Sequence, residues 1–240
     1  MMPSSQSAFE NKLLRHMPAG DFDLLAPYLE PQTLPLRYSI EVSQTPVSAV
    51  FFLETGLASI VVKMPDGRDI EVGISGNDGM TGPAVILGGK QSPHDTYVQI
   101  AGHGFKITVA RLHEVMEASK TLRDYLLLYV QTMVIQTAST ALANGQADVP
   151  ARMARWLLMV HDRIDGANIL LTHEFLAVML GVRRPWVTEI LHLLEDKRLI
   201  RAKRGQITIV DRKGLVSEAN GFYGVAEAEY KRLLGINLSR

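Results

Sequence analysis

Residues 111–144 contain neither proline nor glycine. A run of that length without a breaker predicts one long helix. Leu122, Leu126, Tyr129, Met133, Gln136 and Thr140 recur in alternating steps of four and three, the spacing of a heptad seam. Leu127, Leu128, Val130 and Ile135 make other faces of the same helix apolar. Such a helix needs partners on more than one side. The seam is therefore read as the self-association face of a homodimer, with another face packed on the chain's own body. Asn144-Gly145 signals the helix end, and residues 144–147 read as a hinge between two domains.

Before this helix the pattern is mixed. Residues 9–30 read as helix, interrupted near Pro18 and Gly20. From 34 to 109 the periodicity shortens. Apolar, β-branched runs at 50–53, 58–63, 69–74, 97–100 and 106–109 alternate with turn signals. Those signals include Glu54-Thr55-Gly56, Pro65-Asp66-Gly67, Gly88-Gly89 and Gly102-His103-Gly104, with Asp66-Gly67 the best hairpin turn. Many short strands at close spacing predict a β-barrel, roll or sandwich. After the hinge, residues 148–164 read as helix, with Asp148 as N-cap and Pro150 in the first turn.

Charge separates the two halves. The chain is neutral overall, with 25 basic and 25 acidic residues. Residues 1–147 carry a net −4, residues 148–240 a net +4, and 183–213 alone a net +5. A basic C-terminal third on a neutral chain suits a nucleic-acid-binding domain. The absence of cysteine removes disulfides, thiolate metal sites, iron–sulfur clusters and a reactive thiol. No apolar run approaches the roughly 18 residues of a membrane span. The N-terminus lacks the basic and apolar regions of a secretory signal, so a cytoplasmic protein is expected.

Residues 171–215 are the most informative. Thr172 suits an N-cap and Glu174 the positive start of a helix. A short apolar helix follows and stops at Gly181, which permits a left-handed turn. Pro185 sits where a first helical turn tolerates it. Val187, Ile190, Leu191 and Leu194 form the inner stripe of a second helix, and Arg184, Thr188 and His192 line its outer face. This is a helix-turn-helix. Residues 199–210 then read as strand, basic turn, strand, which is a wing. Arginine gives two parallel hydrogen bonds to guanine in the major groove. A helix start carrying Arg183 and Arg184 meets phosphate and base edge together. Arg201, Lys203 and Arg204 on the wing neutralise backbone phosphates.

The segment LTHEFLAVMLGVRRPWVTEILHLLEDKRLIRAKRGQITIVDRKGL resembles the winged helix-turn-helix of the Crp/Fnr family of bacterial transcription regulators. The order of elements along the whole chain is similar to that family too. The resemblance implies an α+β chain in three parts. Residues 1–110 would form an N-terminal helix and a cyclic-nucleotide-binding-like β-roll (jelly roll), 111–144 a dimerisation helix, and 148–240 the DNA-binding domain. It implies a homodimer on a near-palindromic double-stranded DNA operator, in contact with RNA polymerase. Arg184 falls on the family's guanine-reading arginine. Pro185 stands where the family usually has a small or acidic residue, and Glu189 where some members have a second base-reading arginine. Proline cannot read a base by hydrogen bond, so the family's familiar half-site is not carried over. The candidate DNA-contacting set is Thr172, Arg183, Arg184, Trp186, Thr188, Glu189, His192, Arg201, Lys203 and Arg204.

Cyclic-nucleotide binding in this family uses a Gly-Glu pair and a later Arg-Ser pair. Here Pro83 stands in the acidic place and His94-Asp95 in the Arg-Ser place, and no arginine lies between Arg68 and Arg111. No response to cyclic AMP is expected. Without cysteine an Fnr-type cluster is excluded. His16, His94, His103 and His113 read as structural or solvated and not as haem or metal ligands, so no cofactor, metal or catalytic residue is assigned, and any effector is unknown. A phosphate-binding loop, G-x-S-x-G and H-E-x-x-H are missing from the sequence, so no enzyme is expected. The remaining alternative is a sensory or scaffold protein whose helix-turn-helix makes protein contacts only.

Overall fold

The computed structural model describes residues 5–64, 66 and 69–239. The expected N-terminal helix is two short ones, α1 (Lys12–His16) and α2 (Ala19–Leu25), separated at Met17-Pro18. Seven strands follow: β1 (Glu30–Leu34), β2 (Ser39–Glu41), β3 (Ala49–Leu53), β4 (Leu57–Val62), β5 (Ile70–Ser75), β6 (Asp95–Ile100) and β7 (Gly102–Thr108). They form two antiparallel sheets, ordered β1-β7-β3 and β2-β6-β4-β5. A short helix, α3 (Pro83–Ile86), lies between β5 and β6. Leu34, Phe51, Leu53, Ala58 and Val98 form one buried cluster of this roll. The anticipated Asp66-Gly67 turn falls partly outside the described residues.

Two readings of the strands need correction. β1 and β2 carry too many polar or proline residues to stand out as apolar runs. Gly102-His103-Gly104 is not a turn but the start of β7, paired with β1. These glycines serve close approach: a Cβ on Gly102 would strike the Thr55 carbonyl, and one on Gly104 the Phe52 carbonyl. His103 accordingly sits on a strand, its Nδ1 2.9 Å from Thr55 Oγ1.

The long helix is also two helices, α4 (Val109–Ala118) and α5 (Lys120–Gln146). Ser119 breaks them with an extended backbone. Its hydroxyl accepts the Leu122 amide at 3.2 Å and donates to the buried Asp21 carboxylate at 2.5 Å. A serine N-cap did here what no proline or glycine announced. At the other end α5 runs through Gly145 to Gln146, and Ala147 is the C-cap. Asn144-Gly145 is thus inside the helix.

The heptad seam faces inward. Leu122, Leu126 and Tyr129 are fully buried, and Met133 and Gln136 nearly so. The Tyr129 hydroxyl donates to the Met80 carbonyl at 2.8 Å and accepts the Met80 amide at 3.0 Å. Gln136 closes both backbone groups of Ile74, at 2.8 and 3.2 Å. These six residues, Leu122, Leu126, Tyr129, Met133, Gln136 and Thr140, were expected at a subunit interface, but the first five are buried in the chain's own body, while Thr140 is half-buried and its hydroxyl donates to the Gln136 carbonyl at 3.0 Å. The reason is polar complementarity: Tyr129 and Gln136 satisfy loop and strand groups that a partner helix could not reach. α5 does reach the length and composition of a membrane span, with mean hydropathy 1.3 in its most apolar window. Its inner side is nonetheless committed to the roll.

α6 (Val149–His161) starts at Asp148, whose side chain accepts the Ala151 amide at 2.9 Å. The remaining elements are β8 (Asn168–Leu170), α7 (His173–Leu180), α8 (Arg184–Asp196), β9 (Ile200–Lys203), β10 (Gln206–Ile209), α9 (Arg212–Glu218) and α10 (Val225–Leu234). Strands β8-β10-β9 form a small antiparallel sheet. Ten of the thirteen residues of α6 are buried, because it packs on the roll and on the helices after it. Its cluster includes Leu57 and Ile74 from the roll beside Leu176, Val187 and Leu215. The C-terminal end turns back as well: Tyr230, Ile236 and Leu238 share a cluster with Phe9, Leu13 and Tyr129.

Buried polar contacts tie the two halves. Arg163 meets Asp78 at 2.8 Å with both side chains 3% exposed. Within the C-terminal half, the neighbouring Asp162 takes Arg212 at 2.6 Å and the Tyr223 hydroxyl at 2.7 Å. Trp156 donates its indole N–H to Glu71 on β5 at 2.6 Å, and Ser59 donates to the same carboxylate. Burial pushes Glu71 up from 4.5 to about 7. The surrounding groups are Ser59 from β4, Tyr97 from β6, and Arg155, Trp156 and Arg163 from the region of α6. A carboxyl raised in the folded state favours folding below its unfolded pKa, and that contribution fades as pH rises through the folded value. Glu71→Gln is therefore expected to flatten the decline in melting temperature between about pH 5 and pH 8. A variant whose pH–melting curve parallels the wild type would refute the assignment.

Candidate nucleic-acid interface

α7 is capped at Thr172, whose hydroxyl accepts the Phe175 amide at 3.4 Å. Phe175, Leu176, Met179 and Leu180 are buried. Gly181 ends the helix with φ of +63°, a conformation that strains a residue with a Cβ. Arg183 then takes the N-cap place of α8, with Arg184 and Pro185 in its first turn. Val187, Ile190, Leu191 and Leu194 are all buried, as their spacing required. The opposite side of α8 exposes Arg184, Glu189 and His192, with Thr188 half-buried. β9 and β10 form a hairpin whose turn passes through Arg204 and Gly205, the latter at φ +72°. Glu195 of α8 accepts the Ala202 amide at 2.6 Å and so holds the wing to the helix.

Seven of the ten candidate residues line one of two hollows. Thr172, Thr188, His192, Lys203 and Arg204 line one groove of about 610 Å³ between α8 and the wing. Arg183 and Trp186 open instead onto a neighbouring cleft of about 1010 Å³, whose far wall includes Met64, Asp69 and Ile70 of the roll. Arg184 lies at the tip between them. Arg201 and Glu189 are exposed but line neither hollow. Five residues that line the groove lie outside the set read from the sequence: Leu191, Glu195, Ala202, Gly205 and His173. His173 has its Nδ1 3.3 Å from Thr188 Oγ1. Its position just after the N-cap of α7 was the available signal, but the facing of α7 against α8 was not.

The tip is only lightly held. Arg184 lies 3.4 Å from one oxygen of Glu174, and Arg37 of the roll lies 3.4 Å from the other. All three side chains are at least half exposed. Such pairs contribute about 0–1 kcal/mol. The guanidinium of Arg184 is therefore available to an outside acceptor. By contrast the base of the domain is fixed by the buried contacts of α6. Rigid footing and a free, basic, solvated edge is the arrangement a groove reader requires.

The segments that correspond to the family's nucleotide contacts are engaged within the chain. Tyr129 stands against the backbone of Gly79 and Met80. The amide of Gly82, at the start of α3, donates to the buried Glu41 carboxylate at 2.8 Å. Asp95 faces outward to Lys63 at 2.5 Å and accepts the Ser43 amide at 2.7 Å. His113 Nε2 sits 3.0 Å from the Val85 carbonyl, and His16 Nδ1 2.9 Å from the Lys12 carbonyl. Among the described residues no group of three His, Cys, Asp or Glu side chains is placed to hold a metal.

Residues 151–218 match the family model of the Crp-like helix-turn-helix domain. Among solved structures, a crp/fnr-family transcriptional regulator from Eubacterium rectale is 18% identical with a TM-score of 0.67, covering 88% of this chain and 98% of that one. The c-di-GMP-responsive global regulator CLP of Xanthomonas campestris is 18% identical with a TM-score of 0.62, covering 80% and 99%. FixK2 from Bradyrhizobium japonicum is 14% identical with a TM-score of 0.66, covering 79% and 96%. At these identities the likeness to the solved structures is one of fold. No curated protein shows significant sequence similarity to the chain. The C-terminal region is a Crp-like helix-turn-helix domain, the chain has the fold of Crp/Fnr regulators, and both findings support the family read from the sequence.

Proposed function

We propose that this chain, built on the Crp/Fnr fold with a Crp-like helix-turn-helix, is a sequence-specific DNA-binding transcription regulator that acts as a homodimer in the bacterial cytoplasm. The observation that carries the reading is the exposed edge made by Arg183, Arg184, Thr188 and His192 on α8 with Lys203 and Arg204 on the wing. α8 enters the major groove, Arg184 reads a base edge, and the wing contacts phosphates. The DNA-contacting set is the one read from the sequence, with His173 added. RNA polymerase is the protein partner implied by the family.

The dimer contact moves to the other side of α5. Leu127, Gln131, Val134, Ala138, Ala141 and Gly145 follow steps of four and three on the face opposite the roll. Val134 is 62% exposed and Leu142, beside them, 58%. A second copy of α5 is the occupant that fits. Its own stripe is equally apolar, and the small residues Ala138, Ala141 and Gly145 permit close approach of two helices. Paired helices would set two α8 tips about 34 Å apart, one helical turn of B-DNA, on a near-palindromic operator. An effector would act by favouring one pose of the pair. Cyclic AMP is not that effector in this reading, since Pro83 and His94-Asp95 stand where the family has the carboxylate for the ribose and the arginine for the cyclic phosphate.

Arg184→Ala is expected to weaken operator binding by about 1–3 kcal/mol and relax one base position. Arg204→Ala should weaken all duplexes alike and lower the salt slope by about one. Binding measured across salt concentrations on specific and random duplexes tests both. Salt-independent duplex binding, or none, would favour the protein-contact alternative. Val134→Asp should yield a monomer in sedimentation analysis and lose at least a hundredfold in affinity for a two-half-site duplex. A dimer that persists in that variant rules out this face. Cyclic AMP should give no saturable heat in calorimetry; a saturating isotherm would overturn the reading of the roll.

A further inference from the structure

A hollow of about 240 Å³ lies between the roll and the C-terminal region. Leu36 and Ile100 wall it on the roll side, and Leu170, Leu171 and Phe175 on the other. Leu171 and Phe175 are buried, whereas Leu36 is 50% and Leu170 61% exposed. The hollow therefore reaches solvent past two leucines. Among the described residues that line it none is charged. Arg37 lies 5.8 Å from the centre of the Phe175 ring but is not part of the wall.

One polar group of this wall is unsatisfied. Ala58 pairs with Val98 and Leu57 with Ile100, so Gln99 is the extra residue of a β-bulge on β6. A bulge takes a side chain out of the alternation of its strand. Gln99 is 2% exposed and lines the hollow, and its Oε1 has no hydrogen-bond partner among the described residues. Thr172, the other polar side chain of the wall, already accepts the Phe175 amide. A buried acceptor left open favours any occupant that brings it a donor. A bound water satisfies the oxygen but leaves Leu36 and Leu170 facing solvent, where an apolar occupant would cover them.

Size and charge narrow the occupant. The volume exceeds the roughly 150 Å³ that admits a benzene ring. It falls short of the roughly 300–1,000 Å³ of a site for larger ligands. A charged molecule would lose hydration here and meet no counter-charge. The Phe175 ring offers an aromatic neighbour. We propose that this hollow binds a neutral, flat aromatic molecule of one or two fused rings whose single N–H or O–H donates to Gln99 Oε1. The molecule would touch β6 and the start of α7 together. It would stabilise the present pose of α7 on the roll in proportion to its preference for that pose. The inference stands on the hollow alone and not on the DNA-binding reading.

Indole is the probe, titrated into the full chain by calorimetry. Benzofuran is the control, a molecule of the same shape with an ether oxygen in place of the N–H. Melting temperature is followed alongside, because apolar burial can be nearly heatless. Indole should saturate, and benzofuran should bind at least about tenfold more weakly. Gln99→Leu removes the acceptor and should bring the two affinities within about twofold of each other. Leu170→Glu sets a charge at an exposed position of the wall and should weaken indole by about tenfold; it serves if Gln99→Leu does not fold. Neither saturable heat nor a rise in melting temperature with indole would overturn the proposal and leave the hollow to water. Equal binding of indole and benzofuran to the wild type would overturn the hydrogen bond to Gln99, as would a preference for indole kept in a folded Gln99→Leu chain. Unchanged indole binding in Leu170→Glu would place the molecule elsewhere and overturn the site.

Discussion

The contact between Arg163 and Asp78 fixes the relation of everything else. It joins the end of α6 to the loop after β5, and water reaches neither group. Removing one partner of such a pair leaves a bare charge in the interior, at a cost of about 3–5 kcal/mol. The pair does not stand alone. The Tyr230 hydroxyl donates to the Asp78 carbonyl, and Asp162, the residue before Arg163, binds Arg212 and Tyr223. Roll, α6 and C-terminal helices therefore share one polar knot, and the winged domain inherits its position from that knot.

Against that footing the recognition edge is loose by design of its chemistry. The pairs at Glu174 are long and solvated, so they bias α8 weakly and compete poorly with phosphate. The same chain thus uses charge in two opposite ways. Interior charges, paired and hydrogen-bonded, specify how the parts sit. Surface charges stay available.

α5 shows how much a periodic pattern leaves open. Its heptad seam was legible, and the seam does mark a packing face. Which body packs there was not legible, since a roll and a second helix both welcome Leu122 and Leu126. Tyr129 and Gln136 hold the answer, because their polar atoms need the backbone of Met80 and Ile74. The break at Ser119 was hidden for a similar reason: its cap depends partly on Asp21, nearly a hundred residues earlier.

Local elements and their kind were legible along the chain. The Gly181 turn, the inner stripe of α8, the basic wing and the succession of short strands, long helix and helix-turn-helix follow from spacing, propensity and charge, which are properties of neighbouring residues. Packing in three dimensions selected which faces are free. It turned the α5 seam inward, added His173 to the groove, parted Arg183 and Trp186 from it, and brought Ile236 and Leu238 back to the N-terminal core. Those outcomes depend on contacts between residues far apart in the chain, and burial of a given side chain is a sum over such contacts that no local pattern contains.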